Sequence, residues 1–315
     1  MNDVAQGELL EQLLPDAAEE ARNGSPRMPR RRGVPSMRES RGSRPALRPV
    51  ASRRADHGLL DVRDAHISFR DLLLPETFLD TFAELHLEHH REALLAAHGL
   101  APRRTLLLTG PPGTGKSASA EALAEEMGRD FAVVNLATVV SSLLGDTARN
   151  LAAIFDAAAS EPLVLLFDEF DAIGKERAEQ TDHGELKRVV TAFLQLLERF
   201  RGPSVLVAAT NHPDLLDLAV WRRFDAALEF APPAVMDIRK LLRLKLKPLP
   251  RERKLDIEGV ARACRGFSQA EVTQVVRDAH RRHVLYRVSE PLTADELLKA
   301  AAALRRRPGP SGERA

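Results

Sequence analysis

From about Asp61 the chain alternates between short apolar runs of strand length and longer stretches whose apolar residues recur at helical spacing. Thr105–Thr109 (TLLLT), Phe131–Asn135 (FAVVN), Leu163–Phe167 (LVLLF), Ser204–Ala209 (SVLVAA) and Ala226–Phe230 (AALEF) read as strands. Most of them are almost continuously apolar, the pattern of strands covered by helices on both faces. Ala118–Met127, Ala148–Ala159 and Glu185–Arg199 read as the helices between them. This alternation predicts a doubly wound α/β domain with a parallel sheet over residues 61–231. After Pro232-Pro233 the strand pattern stops. Ile238–Leu246, Ile257–Cys264, Gln269–His283 and Ala294–Leu304 predict a small all-α domain over residues 232–305.

Residues 1–60 follow a different rule. Leu9, Leu10, Leu13 and Leu14 share one face of a short predicted helix, but between Arg22 and Arg54 eleven arginines meet a single acid, Glu39, among Pro, Ser and Gly. A segment with so little apolar surface cannot offset its own ordering entropy, so residues 20–60 read as a disordered basic linker. Residues 306–315 read as a second disordered tail.

Charge and cysteine narrow the classes further. The 315 residues carry 46 Lys and Arg against 45 Asp and Glu, a formal charge of +1, so a globally basic nucleic-acid binder is not indicated. No run approaches the 18 apolar residues of a membrane span. The acidic start MNDVAQGELL does not read as a signal peptide. Cys264 is the sole cysteine, which excludes an internal disulfide and a multi-Cys zinc site. The expectation is a cytoplasmic protein with no membrane association.

The strongest chemical signal is Gly110-Pro111-Pro112-Gly113-Thr114-Gly115-Lys116-Ser117, a complete G-x-x-x-x-G-K-S/T between a predicted strand and a predicted helix that opens at Ala118. Glycines let successive backbone N–H groups turn inward on phosphates, and the helix N-terminus adds its positive end. Lys116 then reaches the β- and γ-phosphates, and Ser117 offers a hydroxyl to Mg²⁺. Further on, the strand Leu163–Phe167 ends in Asp168-Glu169. Asp168 suits a second Mg²⁺ anchor and Glu169 a base that polarises the attacking water. Asn211, at the tip of the next strand, is placed to orient that water or touch the γ-phosphate. Trp221-Arg222-Arg223-Phe224-Asp225 precedes the last strand, and its arginines are either a solvated pair or fingers that stabilise phosphate charge.

Together these residues resemble the AAA clade of AAA+ ATPases, over about His66 to Leu304. Gly110–Ser117 is similar to the Walker A motif, Leu165–Glu169 to Walker B, Asn211 to sensor 1, and Ala208–Asp225 to the second region of homology. The resemblance implies ATP and Mg²⁺ as ligands, strand order 5-1-4-3-2, a helical lid, and a ring-shaped homo-oligomer, usually a hexamer. It also implies that Arg222 and Arg223 reach a neighbouring subunit's site. Asp71, Leu72 and Leu73 of Phe69–Leu73 fall where the family lines its adenine pocket. Gly266-Phe267-Ser268-Gln269-Ala270-Glu271 is similar to the family's Gly-Φ-Ser-Gly-Ala-Asp, which brings Ser268 and Ala270 near the ribose and base. Gln269 stands where the pattern has Gly.

The place of the family's substrate-gripping loop holds Ser142-Leu143-Leu144-Gly145, where Leu143 and Leu144 replace an aromatic anchor. Such a pair either grips an extended chain with less area or packs within the domain. Asp182-His183-Gly184-Glu185 matches a second pore-loop region or caps the next helix. His86, His89 and His90 read as an exposed cluster rather than a metal site. The resemblance points to a protein substrate or dedicated protein partner, a protease being one candidate. The other readings are a nucleic-acid-remodelling ATPase that uses the Arg-rich tail, and a slow nucleotide switch.

Overall fold

The computed structural model describes residues 58–136, 139, 146–170, 183–216, 218–287 and 289–307. The α/β part runs β1 (Leu60–Arg63), α1 (Glu76–His90), α2 (Glu92–Ala97), β2 (Thr105–Thr109), α3 (Lys116–Met127), β3 (Asp130–Val134), α4 (Asp146–Ser160), β4 (Leu163–Phe167), α5 (His183–Arg199), β5 (Val205–Thr210), α6 (Leu218–Trp221) and β6 (Ala226–Glu229). Four helices follow: α7 (Val235–Leu246), α8 (Ile257–Ala263), α9 (Gln269–Tyr286) and α10 (Ala294–Arg305).

The sheet has six strands in the order β1-β3-β4-β5-β2-β6. Counted from the strand that leads into the glycine-rich loop, the five parallel strands lie fifth, first, fourth, third, second. β1 pairs antiparallel with β3 at the edge, with Leu60 opposite Val134 and Arg63 opposite Phe131. This strand corrects the linker boundary at residue 60. Leu59 is buried, and its carbonyl accepts from Asn135 N–H at 2.9 Å. The sequence hides β1 because it is four residues long, with Asp61 and Arg63 facing out.

Strict alternation explains why the central strands are apolar throughout. Leu107, Leu165, Phe167, Leu206 and Ala208 face one side, packed with Leu151, Ile154 and Phe155 of α4 and Phe193 and Leu197 of α5. Leu106, Leu108, Val164, Leu166, Val205 and Val207 face the other, packed with Ala120, Leu123 and Ala124 of α3 and Phe82 and Leu85 of α1. Each strand thus feeds two cores, and its C-terminal end is left for chemistry.

The four last helices gather Ile238, Leu242, Val260, Cys264, Val272, Val275, Leu297 and Ala301 into a third core. α9 begins at a capping box in which Ser268 Oγ accepts from Glu271 N–H and the Glu271 carboxylate accepts from Ser268 N–H. It runs one turn beyond the expected His283, carrying Val284, Leu285 and Tyr286 into solvent.

Candidate active site

The loop between β2 and α3 owes its shape to glycine. Gly110, Gly113 and Gly115 have φ of 129°, 74° and 106°, where a side chain is strained. At Gly110 a Cβ would also lie 2.0 Å from the Phe230 carbonyl oxygen. Thr114 Oγ1–H donates to Pro111 O at 2.8 Å and closes the loop on itself. Gly115 caps α3 without a side-chain bond, so the helix meets the loop with its first-turn N–H groups available to an anion.

Lys116 opens α3 and is 6% exposed. Its ammonium donates to Gly110 O at 2.6 Å, Pro111 O at 2.9 Å and Asn211 Oδ1 at 2.8 Å. Residues 95 positions apart are thereby joined, because β2 and β5 are neighbours in the sheet. Phosphate oxygens are stronger acceptors than these carbonyl oxygens, so a bound polyphosphate can take their place on the ammonium.

Ser117 Oγ–H donates to Asp168 Oδ2 at 2.7 Å, and Asp168 Oδ1 accepts from Glu169 N–H at 2.9 Å. Glu169 is exposed and is the one non-glycine residue of positive φ among those described, at 50°. Left-handed backbone at a carboxylate residue is strained, and such strain concentrates at working sites. The Phe170 N–H bond to Ala209 O at 2.8 Å holds this turn against β5.

A polyphosphate and a divalent cation fit these groups. The loop offers backbone donors and a buried ammonium, while Ser117 and Asp168 pair a hydroxyl with a carboxylate, both hard oxygen ligands suited to Mg²⁺. Among the described residues no group of three or more His, Cys, Asp or Glu converges on a metal position.

The arginine turn is anchored from behind. Asp225 Oδ2 accepts from Arg104 N–H at 2.8 Å, Thr105 N–H at 2.9 Å and Thr105 Oγ1–H at 2.9 Å, which fixes the turn to the root of β2. Arg222 is exposed on it; Arg223 pairs with Glu198 at 3.4 Å.

Phe69–Asp71 forms a single 3-10 turn in which the Asp71 carboxylate accepts from Ser68 N–H at 3.1 Å. That carboxylate is therefore spent on a local cap. Leu72 packs on the sheet core and Leu73 on the helical core. Ala270 N–H donates to Gly113 O at 3.0 Å, and a Cβ on Gly113 would come within 2.7 Å of Ser268 Oγ. The start of α9 thus rests directly on the glycine-rich loop. Two contacts were not legible beforehand: Gln269 Nε2–H to Leu73 O at 3.0 Å and Lys245 Nζ–H to Asp71 O at 2.7 Å. The signal for the first was the glutamine at a glycine position; the second left none.

Of the remaining expectations, the exposed histidine cluster is corrected: His86 and His89 are both only partly exposed. Leu143 and Leu144 lie outside the described residues, as do residues 1–57, Asp182 and residues 308–315. His89 is half-buried rather than exposed: its ring bonds Arg103 O at 2.8 Å and Arg129 Nη2 at 3.2 Å. Burial, with Arg129 alongside, lowers its pKa from 6.5 to about 4. Cys264 is buried in the helical core, which pushes its thiol up to about 11.

A parallel α/β sheet with a glycine-rich loop at the tip of β2 and an acid pair at the tip of β4 defines a phosphate-loop nucleotide-binding protein. Residues 106–232 match the family model described as ATPase family associated with various cellular activities (AAA). An AAA family ATPase of Sinorhizobium fredii, y4kL, is 37% identical over 217 residues, covering 69% of this chain and 65% of that protein. Protein SAV of Sulfolobus acidocaldarius is 34% identical over 194 residues, 59% of this chain and 24% of that one. The cell division cycle protein 48 homolog of Archaeoglobus fulgidus is 33% identical over 210 residues, 65% and 28% of the two. The chain thus spans less than two thirds of each of these relatives. Its α/β core belongs to the AAA family of ATPases.

Proposed function

We propose that this chain hydrolyses ATP to ADP and phosphate, in sites shared between copies of a ring, and uses the cycle to remodel, unfold or regulate a protein partner. The observation that carries the reading is the buried Lys116 ammonium, shared between the loop carbonyls and Asn211, beside the Ser117–Asp168 pair. Phosphate oxygens displace the carbonyls around Lys116, while loop and helix N–H groups take the remaining phosphate oxygens. Ser117 and Asp168 would hold Mg²⁺, which would neutralise charge developing on the phosphates. Glu169 accepts a proton from the water that attacks the γ-phosphorus in line as the bond to the β-phosphate oxygen breaks. Asn211, released from Lys116, orients that water. Arg222 of one copy meets the γ-phosphate charge in the next, with Arg223 as a second contributor.

Phosphate release from the full chain tests this. Turnover should require ATP and Mg²⁺ and disappear in Lys116→Ala. Mg²⁺-independent release, or release unchanged by that substitution, would refute the assignment.

A further inference from the structure

The segment Asp71–Leu73 is the seam between the two packed bodies. Leu72 inserts among sheet residues, and Leu73 inserts among the residues of the four-helix core. The carbonyls on either side of Leu72 are taken by side chains from two different helices. Lys245, in the last turn of α7, donates to Asp71 O at 2.7 Å. Gln269, the first residue of α9, donates to Leu73 O at 3.0 Å. The acceptor is a carbonyl, so the amide nitrogen of Gln269 has to face it. A glycine at position 269 has no side chain with which to make this bond.

The same end of α9 reaches the phosphate loop through Ala270 N–H and Gly113 O, 3.0 Å apart. A displacement of the helical region breaks bonds at two places together: at the glycine-rich loop, and at the segment where the family resemblance places the adenine end. We infer that Gln269 and Lys245 form a two-point clasp through which the helical region sets the position of Asp71–Leu73, and with it how long a nucleotide stays bound. The inference rests on the ATP reading above. Gln269 and Lys245 act here as positioning residues, since their partners are backbone carbonyls and not substrate. Burial lowers the Lys245 pKa, as expected for an ammonium drawn partly out of water, and Arg277 adds to that while Asp71 opposes it.

The test uses the full chain, a fluorescent ATP analogue and inorganic tripolyphosphate. Gln269→Ala and Lys245→Met should each raise the analogue's dissociation constant and off-rate about fivefold, the size expected of one ordinary hydrogen bond. Tripolyphosphate affinity should stay within about twofold, because no phosphate contact is touched. KM for ATP should rise with kcat nearly constant. Lys245→Arg should restore the wild-type values, and Gln269→Glu, whose carboxylate has no proton to donate, should not. Without nucleotide, amide hydrogen exchange over residues 69–74 should speed up in both loss variants. Wild-type nucleotide affinity and wild-type exchange in Gln269→Ala and Lys245→Met would overturn the clasp. Equal losses for tripolyphosphate and ATP would do so as well, since the effect would then not reside at the adenine end. If the wild-type protein binds no ATP analogue, the ATP reading fails by itself. The exchange comparison still decides whether the clasp exists.

Discussion

The α/β core and the helical region solve opposite problems. Residues 58–231 carry 27 Asp and Glu against 16 Lys and Arg, whereas residues 232–307 carry 9 against 18. The near-neutral chain is therefore an acidic body joined to a basic one. Buried polar groups divide just as unevenly. Arg104, Thr105, Thr109, Thr114, Lys116, Ser119, Ser204 and Thr210 are buried in the core, and His283 stands alone in the helical region among the residues described. The core also holds the strained Glu169 and the loop glycines. Desolvated polar groups and strained backbone cost stability; Thr109, Thr114, Lys116, Thr210 and Glu169 lie at the strand tips, while Arg104, Thr105 and Ser204 fix the opposite ends of β2 and β5. The helical region carries less of that cost, in His283 and the buried Arg239 Nε, and contributes position: α9 touches the loop and the Asp71–Leu73 seam.

Substitutions on the core side should therefore abolish turnover outright, and these are the largest effects expected. Lys116→Ala should lose ATP binding and hydrolysis together, since a buried ammonium disappears from the phosphate site. Glu169→Gln should keep binding and lose turnover, because in the proposed mechanism this exposed carboxylate acts on water rather than on phosphate. Equilibrium nucleotide binding set beside phosphate release separates the two. Equal loss of binding in both variants would erase the distinction between holding and reacting.

Next in size comes Arg222→Ala. A guanidinium supplied in trans is worth roughly 10³–10⁵ in rate in related phosphoryl transfer, so turnover should fall steeply while ATP affinity falls far less. Arg223→Ala should do less, because Arg223 is already engaged with Glu198. Mixing Arg222→Ala with Lys116→Ala protein should recover some activity, as some interfaces then join an intact loop to an intact arginine. Full-rate hydrolysis by dilute monomer, with both arginine variants matching wild type, would leave the doublet as a solvated surface pair.

Much of this was legible in the sequence, and the reasons differ by residue. The parallel strands showed as nearly continuous apolar runs because each faces two cores, as Leu106 and Leu107 do. The phosphate loop showed because its glycines and lysine are required chemically at fixed spacing. β1 did not show, because four residues are too few for its alternation of Leu60 and Val62 with Asp61 and Arg63 to stand out. His89 was misread as exposed because its partners, Arg103 and Arg129, are 14 and 40 positions away. The contacts of Gln269 and Lys245 to backbone carbonyls, 196 and 174 positions distant, leave no periodic trace at all.

The charge contrast gives a smaller and more graded effect. If copies assemble with the acidic body of one beside the basic body of the next, self-association should weaken with salt. The Debye length shrinks from about 10 Å at 0.1 M to about 3 Å at 1 M. Sedimentation velocity across that range should show the assembly dissociating, and specific ATPase activity should fall with it. Assembly that strengthens with salt would place apolar contacts, not charge, in control.

The smallest effect concerns pH, and it separates the two bodies by the window in which each loses stability. In the core, Arg129 can only donate, so His89 Nδ1 accepts and Nε2–H donates to Arg103 O. Protonating Nδ1 would set a hydrogen against the guanidinium, in a site that burial already makes hostile to charge. The folded pKa is lowered from 6.5 to about 4. Between those values the unfolded chain binds a proton that the folded protein refuses, so stability falls as pH drops from about 6.5 to about 4 and is level below that. In the helical region Glu296 behaves otherwise. Burial alone would raise its pKa, but bonds from Thr293 and His283 outweigh it and the net shift is downward from 4.5. Its contribution is present above 4.5 and is lost as pH falls through the folded value. Thermal midpoints measured from pH 7 to pH 3 should therefore show two separable slopes. His89→Gln, which keeps one acceptor and one donor, should flatten the upper slope only, and Glu296→Gln the lower slope only. Upper slopes that coincide in wild type and His89→Gln would show that His89 accepts its proton in the folded core as readily as in the unfolded chain.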